Sequence, residues 1–277
     1  MSVIKTSRLK KRSGKVLLAV LLLLLPGCRK PAPENRQETF KGEAARFEDG
    51  AEVSLWEDAF GREHYRLSDG TEILTVPHPV WPWNASVGSL EGFEGMSPAA
   101  RQAVRTYFEE QGLLYNQSSL LDAAYQDYRQ CRAVGKESSF QAHAAWQEVL
   151  PTNETERFTA FCTAVTRPLN AHFDGTVTES RASAYFDRET GEKYDAWELF
   201  SVPAETVGRE LFARGALSDF LSEKEFIEAL RPEYLCWYST TLEICFPPEA
   251  LEEFRDGWIA GIDLADLEDI LQPWARP

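Results

Sequence analysis

Residues 185–200 read YFDRETGEKYDAWELF, and five of the sixteen are acidic. Carboxylates this crowded suit either a catalytic cluster or a chain reversal, and their spacing selects the reversal. Asp187 follows the strand-like Tyr185-Phe186 and precedes Arg188-Glu189-Thr190-Gly191. An aspartate in that place accepts hydrogen bonds from the amides two and three residues on. Gly191 supplies the positive φ that closes the turn, and Glu192-Lys193-Tyr194 resumes a strand. Asp195, three residues before Glu198, begins a short helical turn that buries Trp197, Leu199 or Phe200. Asp187, Thr190 and Gly191 are therefore read as turn residues, and no catalytic residue is assigned here.

The same signals recur outward from this stretch. REHYRLSDGTEILTV, residues 62–76, predicts a hairpin about Asp69-Gly70. VPHPVWPWN follows, and its three prolines confine it to an edge or an extended loop. Ser97-Pro98 caps a helix that Gly112 ends. A second helix, residues 120–132, places Leu121, Ala124, Tyr125 and Tyr128 on one face. Strands at 140–149 and 157–166 are joined about Pro151-Thr152-Asn153. Helices are expected at 204–220 and, behind a Ser222…Glu225 capping box, at 223–230. A hairpin at 236–246, a strand near 258–262 and a last helix at 264–271 complete the chain. Strands interspersed with helices, without regular β-α-β alternation, predict an α+β fold with mainly antiparallel sheets and packed helices. We read it as two α+β halves, residues 45–135 and 136–277.

The N-terminus carries an address. Its first fifteen residues hold six Lys or Arg and no acid; VLLAVLLLLL follows, then Pro26-Gly27-Cys28. A basic region, a short apolar run and a small residue before a cysteine make residues 1–27 a lipoprotein signal peptide, with Cys28 the lipidated N-terminus. Ten apolar residues are too few for a membrane span, which needs roughly 20. Residues 28–44 are polar and read as a flexible tether. The expected location is the extracytoplasmic face of the cell membrane, held by lipid. Removing the signal leaves 23 basic against 44 acidic residues, a formal charge of −21. Such a surface repels nucleic acid and suits basic proteins.

Cys131, Cys162, Cys236 and Cys245 remain, an even number for an oxidising compartment. LCWYSTTLEICF reads as two strands about Thr240-Thr241. That register sets Cys236 opposite Cys245 on a non-hydrogen-bonded pair, where Cα atoms approach to about 4.5 Å and a disulfide can form. The face with Cys236, Tyr238, Glu243 and Cys245 then opposes the apolar face of Leu235, Trp237, Leu242, Ile244 and Phe246. Cys131 with Cys162 is the remaining pairing.

No metal-ligand spacing, nucleophile elbow, phosphate loop or dinucleotide fingerprint is present, and no cofactor is expected. Cys162 and His172 could meet as a thiol–base pair, but a disulfide or buried thiol explains Cys162 better. Asp263, Asp266, Glu268 and Asp269 suit the start of a helix better than a cation site. Trp81, Trp83, Trp237, Trp258, Tyr125 and Tyr128 could stack on sugars, although such residues more often fill a core.

FDRETGEKYDAWELF resembles the FDxxTGKxLxLxDLF signature of the RsiV-like extracellular domain family, domain of unknown function 3298. LCWYSTTLEICFPPEA is similar to the family's hairpin, with Thr240-Thr241 in place of Asp-Gly and cysteines at 236 and 245. GWIAGIDLADLEDIL is similar to its closing strand and helix, so the resemblance covers about residues 158–271. NAHFDGT, residues 170–176, stands where many relatives carry Gly-Gly-Ala-His. The family occurs in lysozyme-binding anti-sigma factors and beside peptidoglycan deacetylases of the PdaC type. The resemblance implies a non-catalytic binding module for a basic protein such as lysozyme, or for a cell-wall component such as peptidoglycan. The alternative is an accessory or catalytic module acting on cell-wall glycan. For the anchor, Cys28→Ala is expected to move the protein from membrane to soluble fractions; a variant still membrane-bound would count against it.

Overall fold

The computed structural model describes residues 38–85, 90–168, 177–215, 217 and 221–276. Cys28 with the signal segment, and His172 with the NAHFDGT stretch, lie outside the described residues. Among those described, twelve strands in three sheets and four α-helices make an α+β fold.

The first sheet runs β1 (Thr39–Arg46), β2 (Glu52–Glu57), β3 (Glu63–Leu67) and β4 (Glu72–Val76) in antiparallel order, and β5 (His143–Ala144) joins β4 in parallel. Asp69 accepts the Thr71 amide at 2.9 Å and so closes the β3–β4 turn. The tether is shorter than its polarity predicts, because residues 39–44 belong to β1. That strand keeps mostly exposed side chains and is held by backbone pairing to β2 across two bulges, so it leaves no apolar period to read. Helix α1 (Pro98–Gln111) is capped by Ser97 and stops at Gly112. Helix α2 (Gln117–Ala133) lays Leu121, Ala124, Tyr125 and Tyr128 on Val53, Tyr65, Ile73 and Leu74 of the first sheet. Asp127 of α2 and His143 of β5 are both buried and meet at 2.7 Å.

The second sheet, β6 (Trp146–Glu154), β7 (Phe158–Pro168), β8 (Val177–Asp187) and β9 (Lys193–Tyr194), is antiparallel and covered on both faces. Phe161, Ala184 and Phe186 meet Ala100, Val104 and Phe108 of α1. Phe158, Ala160 and Tyr185 enter the largest core, with Leu211, Phe226, Trp237 and Leu242. Strand period two thus feeds two cores from one strand pair. Pro151 is not a turn residue: it lies inside β6, beside a bulge that skips Thr152. A bulge tolerates the missing amide of proline. The reversal comes at Glu156-Arg157, where the Thr155 hydroxyl accepts the Arg157 and Phe158 amides.

The third sheet is β10 (Leu235–Trp237), β11 (Thr241–Phe246) and β12 (Trp258–Asp263). Its hairpin turns about Ser239-Thr240, not Thr240-Thr241, and Cys236 pairs with Glu243. A shift of two residues keeps each side chain on its expected face, but it removes the Cys236–Cys245 juxtaposition. All four described cysteines are buried free thiols, so neither expected disulfide is present. Helix α3 (Ala204–Arg214) ends at Gly215 and α4 (Glu223–Ala229) begins at the Ser222–Glu225 capping box. The expected last helix is only a 3-10 turn, Leu264–Leu267. Beyond it Leu271 bridges to Phe200, and Gln272 donates its amide to Leu199, which draws the chain away from a helical path.

Gly191 joins these parts. Its φ is +74°, and a Cβ there would lie 2.7 Å from the Ala100 Cα and 2.6 Å from the Ala103 Cβ. Gly191→Ala is expected to cost about 2 kcal/mol or more in urea unfolding, through strain and a clash with α1. Unchanged stability would mean that the turn does not bear on the helix.

Candidate functional site

The Asp187 turn sets the position of α1. Asp187 Oδ1 accepts the amides of Glu189 at 2.9 Å and Thr190 at 2.8 Å, and Oδ2 accepts the Tyr194 hydroxyl at 2.7 Å. Burial works against its charge, but the Thr190 amide, the Tyr194 hydroxyl and the Glu189 amide outweigh it and lower the pKa. An aspartate so held has no proton to give near neutral pH. The turn in turn receives the helix end: the Ser97 amide donates to the Arg188 carbonyl at 2.9 Å, and the Ser97 hydroxyl to the Glu189 carbonyl at 2.6 Å.

Beside α1 two loops are fastened to the second sheet. Val80 bridges to β6, exchanging backbone bonds with Gln147 and Val149. Asn84 then folds back to accept the Trp81 amide at 2.7 Å. In the other loop, the Glu154 carboxylate accepts the Gly92 amide at 2.7 Å, and Arg188 donates to the Gly95 carbonyl at 3.1 Å. Gly92 sits so close to Pro151 that a Cβ would fall 2.6 Å from its Cγ.

These supports enclose an open cleft of about 300 Å³. Trp83, Phe93 and Glu94 line it from the loops, and Pro98, Arg101, Gln102 and Arg105 from the outer face of α1. Trp81 and Trp83 are partly exposed and stacked, with ring centroids 5.6 Å apart and planes 8° from parallel. The Arg105 guanidinium lies 5.0 Å over Trp83. Arg101 pairs with the exposed Glu94 at 3.0 Å, whereas Arg105 has no carboxylate partner among the described residues. A stacked guanidinium still presents its N–H edge, the arrangement that binds carboxylate or phosphate. Only the tryptophans of this cleft stand out in the sequence. The arginines, four residues apart on a solvated helix face, were the readable signal that went unused.

The other aromatic candidates are structural. Trp237 is 1% exposed, Tyr125 and Tyr128 cover the first sheet, and Trp258 stacks on Phe254. Asp263 caps the 3-10 turn and Asp269 pairs with Arg214, so those acids are distributed among structural partners. No group of three potential metal ligands occurs among the described residues. A second, smaller cleft of about 130 Å³ lies between β8 and β12, where Arg181, Glu179 and Cys245 meet Asp256 and Trp258. Burial opposes the Arg181 charge, but Tyr238 and Glu179 raise its pKa. Arg181 also donates to the Tyr238 hydroxyl at 3.1 Å and to Glu243, which anchors the β10–β11 hairpin. Cys162, Cys236 and Cys245 form a buried cluster next to Tyr238. Cys131 is buried on α2 and is not part of that cluster. No helix of the described residues is long and apolar enough to cross a membrane.

The chain matches no protein-family model and no curated protein. It is similar to the crystal structure of a DUF3298 family protein from Pseudomonas aeruginosa PAO1, at 11% identity and a TM-score of 0.36, over 87% of this chain and 94% of that one. It is also similar to a member of the same family from Bacteroides fragilis NCTC 9343, at 7% identity and a TM-score of 0.39, over 87% and 93% of the two chains. At such identities and TM-scores the likeness says nothing about ligand or activity.

The Asp187 carboxyl has a folded pKa below its unfolded value. Its stabilisation is therefore complete above the unfolded pKa, about 3.9, and is lost as pH falls through the folded value. Asp187→Asn should lower the melting temperature at pH 7 and flatten the loss of stability below about pH 4. Acid unfolding curves that superimpose for the two proteins would contradict this role.

Proposed function

We propose that this chain is a lipid-anchored, extracytoplasmic binding protein of the RsiV-like type, without chemistry of its own, and that its cleft takes an anionic cell-wall glycan fragment. One observation carries the reading: Arg105 is stacked on Trp83 at the cleft and has no carboxylate partner among the described residues. A guanidinium stacked on a ring at a cleft, with no carboxylate of the described residues on its N–H edge, suits an external anion even in a chain of formal charge −15. Peptidoglycan fragments offer carboxylates on both sugar and peptide, joined to rings whose C–H faces suit aromatic surfaces. Trp83, Phe93 and Gln102 supply the ring contacts and a neutral hydrogen-bonding group beside the two arginines. The polar tether after Cys28 would hold the cleft clear of the lipid surface.

A second reading rests on a different observation, the formal −21 of the mature chain. Charge of that size would steer a basic extracellular protein such as lysozyme, with association that weakens as salt rises. The two readings separate in one set of titrations. Soluble peptidoglycan fragments are expected to quench tryptophan fluorescence on binding and to be recovered unchanged in mass. Arg105→Ala should weaken binding by about tenfold or more, as losing a charge-assisted hydrogen bond does, and Trp83→Ala should abolish the quench. Binding of a c-type lysozyme that is lost at high salt and indifferent to Arg105→Ala would favour the second reading. Failure to bind either probe at low salt would sink both.

A further inference from the structure

The structure joins two sheets through sulfur. Cys162 on β7 and Cys236 on β10 belong to different sheets, yet their Sγ atoms are 3.9 Å apart. They are 5% and 0% exposed, and Cys245, at 2%, completes the cluster. Because Cys236 pairs with Glu243, Cys245 stands two residues along its strand, diagonal to Cys236 and not opposite it. Diagonal neighbours across an antiparallel pair are farther apart than opposed ones. Cys245 also touches Cys236, and Cys162 is the thiol that reaches it from the other sheet.

We propose that Cys162 and Cys236 are a disulfide-forming pair that bolts the β10–β11 hairpin to β7 when the chain folds in the presence of a disulfide oxidant, with Cys245 remaining a thiol. Closing the bond requires the sulfurs to approach by about 2 Å, within the reach of side-chain rotation and small strand shifts. The pairing fits the polar pins already holding the hairpin there. Tyr185 and Ser183 of β8 donate their hydroxyls to the Leu235 carbonyl, and Asn153 of β6 donates to the Tyr238 carbonyl at 3.1 Å. A bond at 162–236 would lock an alignment that these contacts select.

The oxidant is a small-molecule or protein disulfide, and the exchange balances. One cysteine thiolate attacks an oxidant sulfur and expels the other as a thiolate, leaving a mixed disulfide. The second cysteine thiolate then attacks the protein sulfur of that mixed disulfide. The Cys162–Cys236 bond forms, the oxidant leaves as a dithiol or two thiols, and the two protons lost by the cysteines reside on it. Contact with Cys162 and Cys245, together with burial, raises the Cys236 pKa in the folded state. Exchange therefore belongs to the folding chain, before the hairpin closes over β7.

The test is independent of where the protein resides. The full chain is unfolded with reductant, refolded in a reduced and oxidised glutathione mixture, alkylated and digested with trypsin without reduction. Sequence places Cys162 on the fragment 158–181, and Cys236 with Cys245 on 225–255. The expected product is these two fragments joined, with one alkylated thiol on the second. Cys245→Ala should retain the link, Cys236→Ala should lose it, and the oxidised protein should melt at a higher temperature than the reduced one. A bond within 225–255, a bond to Cys131, a link that survives Cys236→Ala, or alkylation of Cys162, Cys236 and Cys245 alike in protein with native circular dichroism would each overturn the proposal.

Discussion

The docking of one tight turn under the start of α1 is the contact on which the described structure turns. Asp187 closes the turn by accepting two backbone amides and a tyrosine hydroxyl, and Gly191 lets it lie against Ala100 without a side chain between them. Ser97, as N-cap, spends its hydroxyl both on its own helix and on the turn, accepting from the Ala100 amide and donating to the Glu189 carbonyl. The helix start and the strand end are thereby one hydrogen-bonded unit. A rotation of α1 would break that unit and separate Phe108 and Val104 from Phe161 and Phe186.

The second sheet transmits this constraint because it has no solvent face through its middle. Side chains alternate between the layer under α1 and the large core under the third sheet, so each strand is fixed from both sides. Arg188 at the end of β8 reaches the carbonyls of Thr155 and Gly95, and Glu154 at the end of β6 holds the amides of the 91–95 loop. The cleft is thus assembled at one end of the sheet, where strand ends offer charged side chains that need not be buried. Its loops are irregular but fastened, which preorganises the surface they form.

Charge is unevenly used in this acidic chain. Arg66, Arg181 and Arg214 each sit among two or more carboxylates and serve as structural clamps. Arg105 is stacked on an aromatic ring instead. In the α1 cleft the guanidinium thus meets a ring and, among the described residues, no carboxylate. The smaller cleft by Cys245 borders the Arg181 clamp, whose groups are already satisfied by one another.

Local chemistry was legible in the sequence. The Asp187–Gly191 turn, the Asp195 and Ser222 capping boxes, the Ser97 and Gly112 limits of α1 and the Asp69-Gly70 hairpin all depend on residues within a few positions of one another. So did the two faces of the β10–β11 hairpin, since strand period two survives a shift of two residues. What the sequence could not determine was register and company. The turn at Ser239-Thr240 was chosen because β8 and β6 grip the Leu235 and Tyr238 carbonyls from another sheet, a preference absent from the hairpin's own residues. Pro151 sits within a strand because a bulge accommodates it, and β1 forms because β2 offers a backbone edge to a polar segment. Cys162 meets Cys236 across 74 residues, and Arg105 meets Trp83 through a helix and a loop placed separately on one sheet. Hydrogen bonds between near neighbours are written in the residue order. Contacts between distant segments exist only once the whole sheet has brought their ends together, and the stacking of Arg105 on Trp83 in the candidate site is one of them.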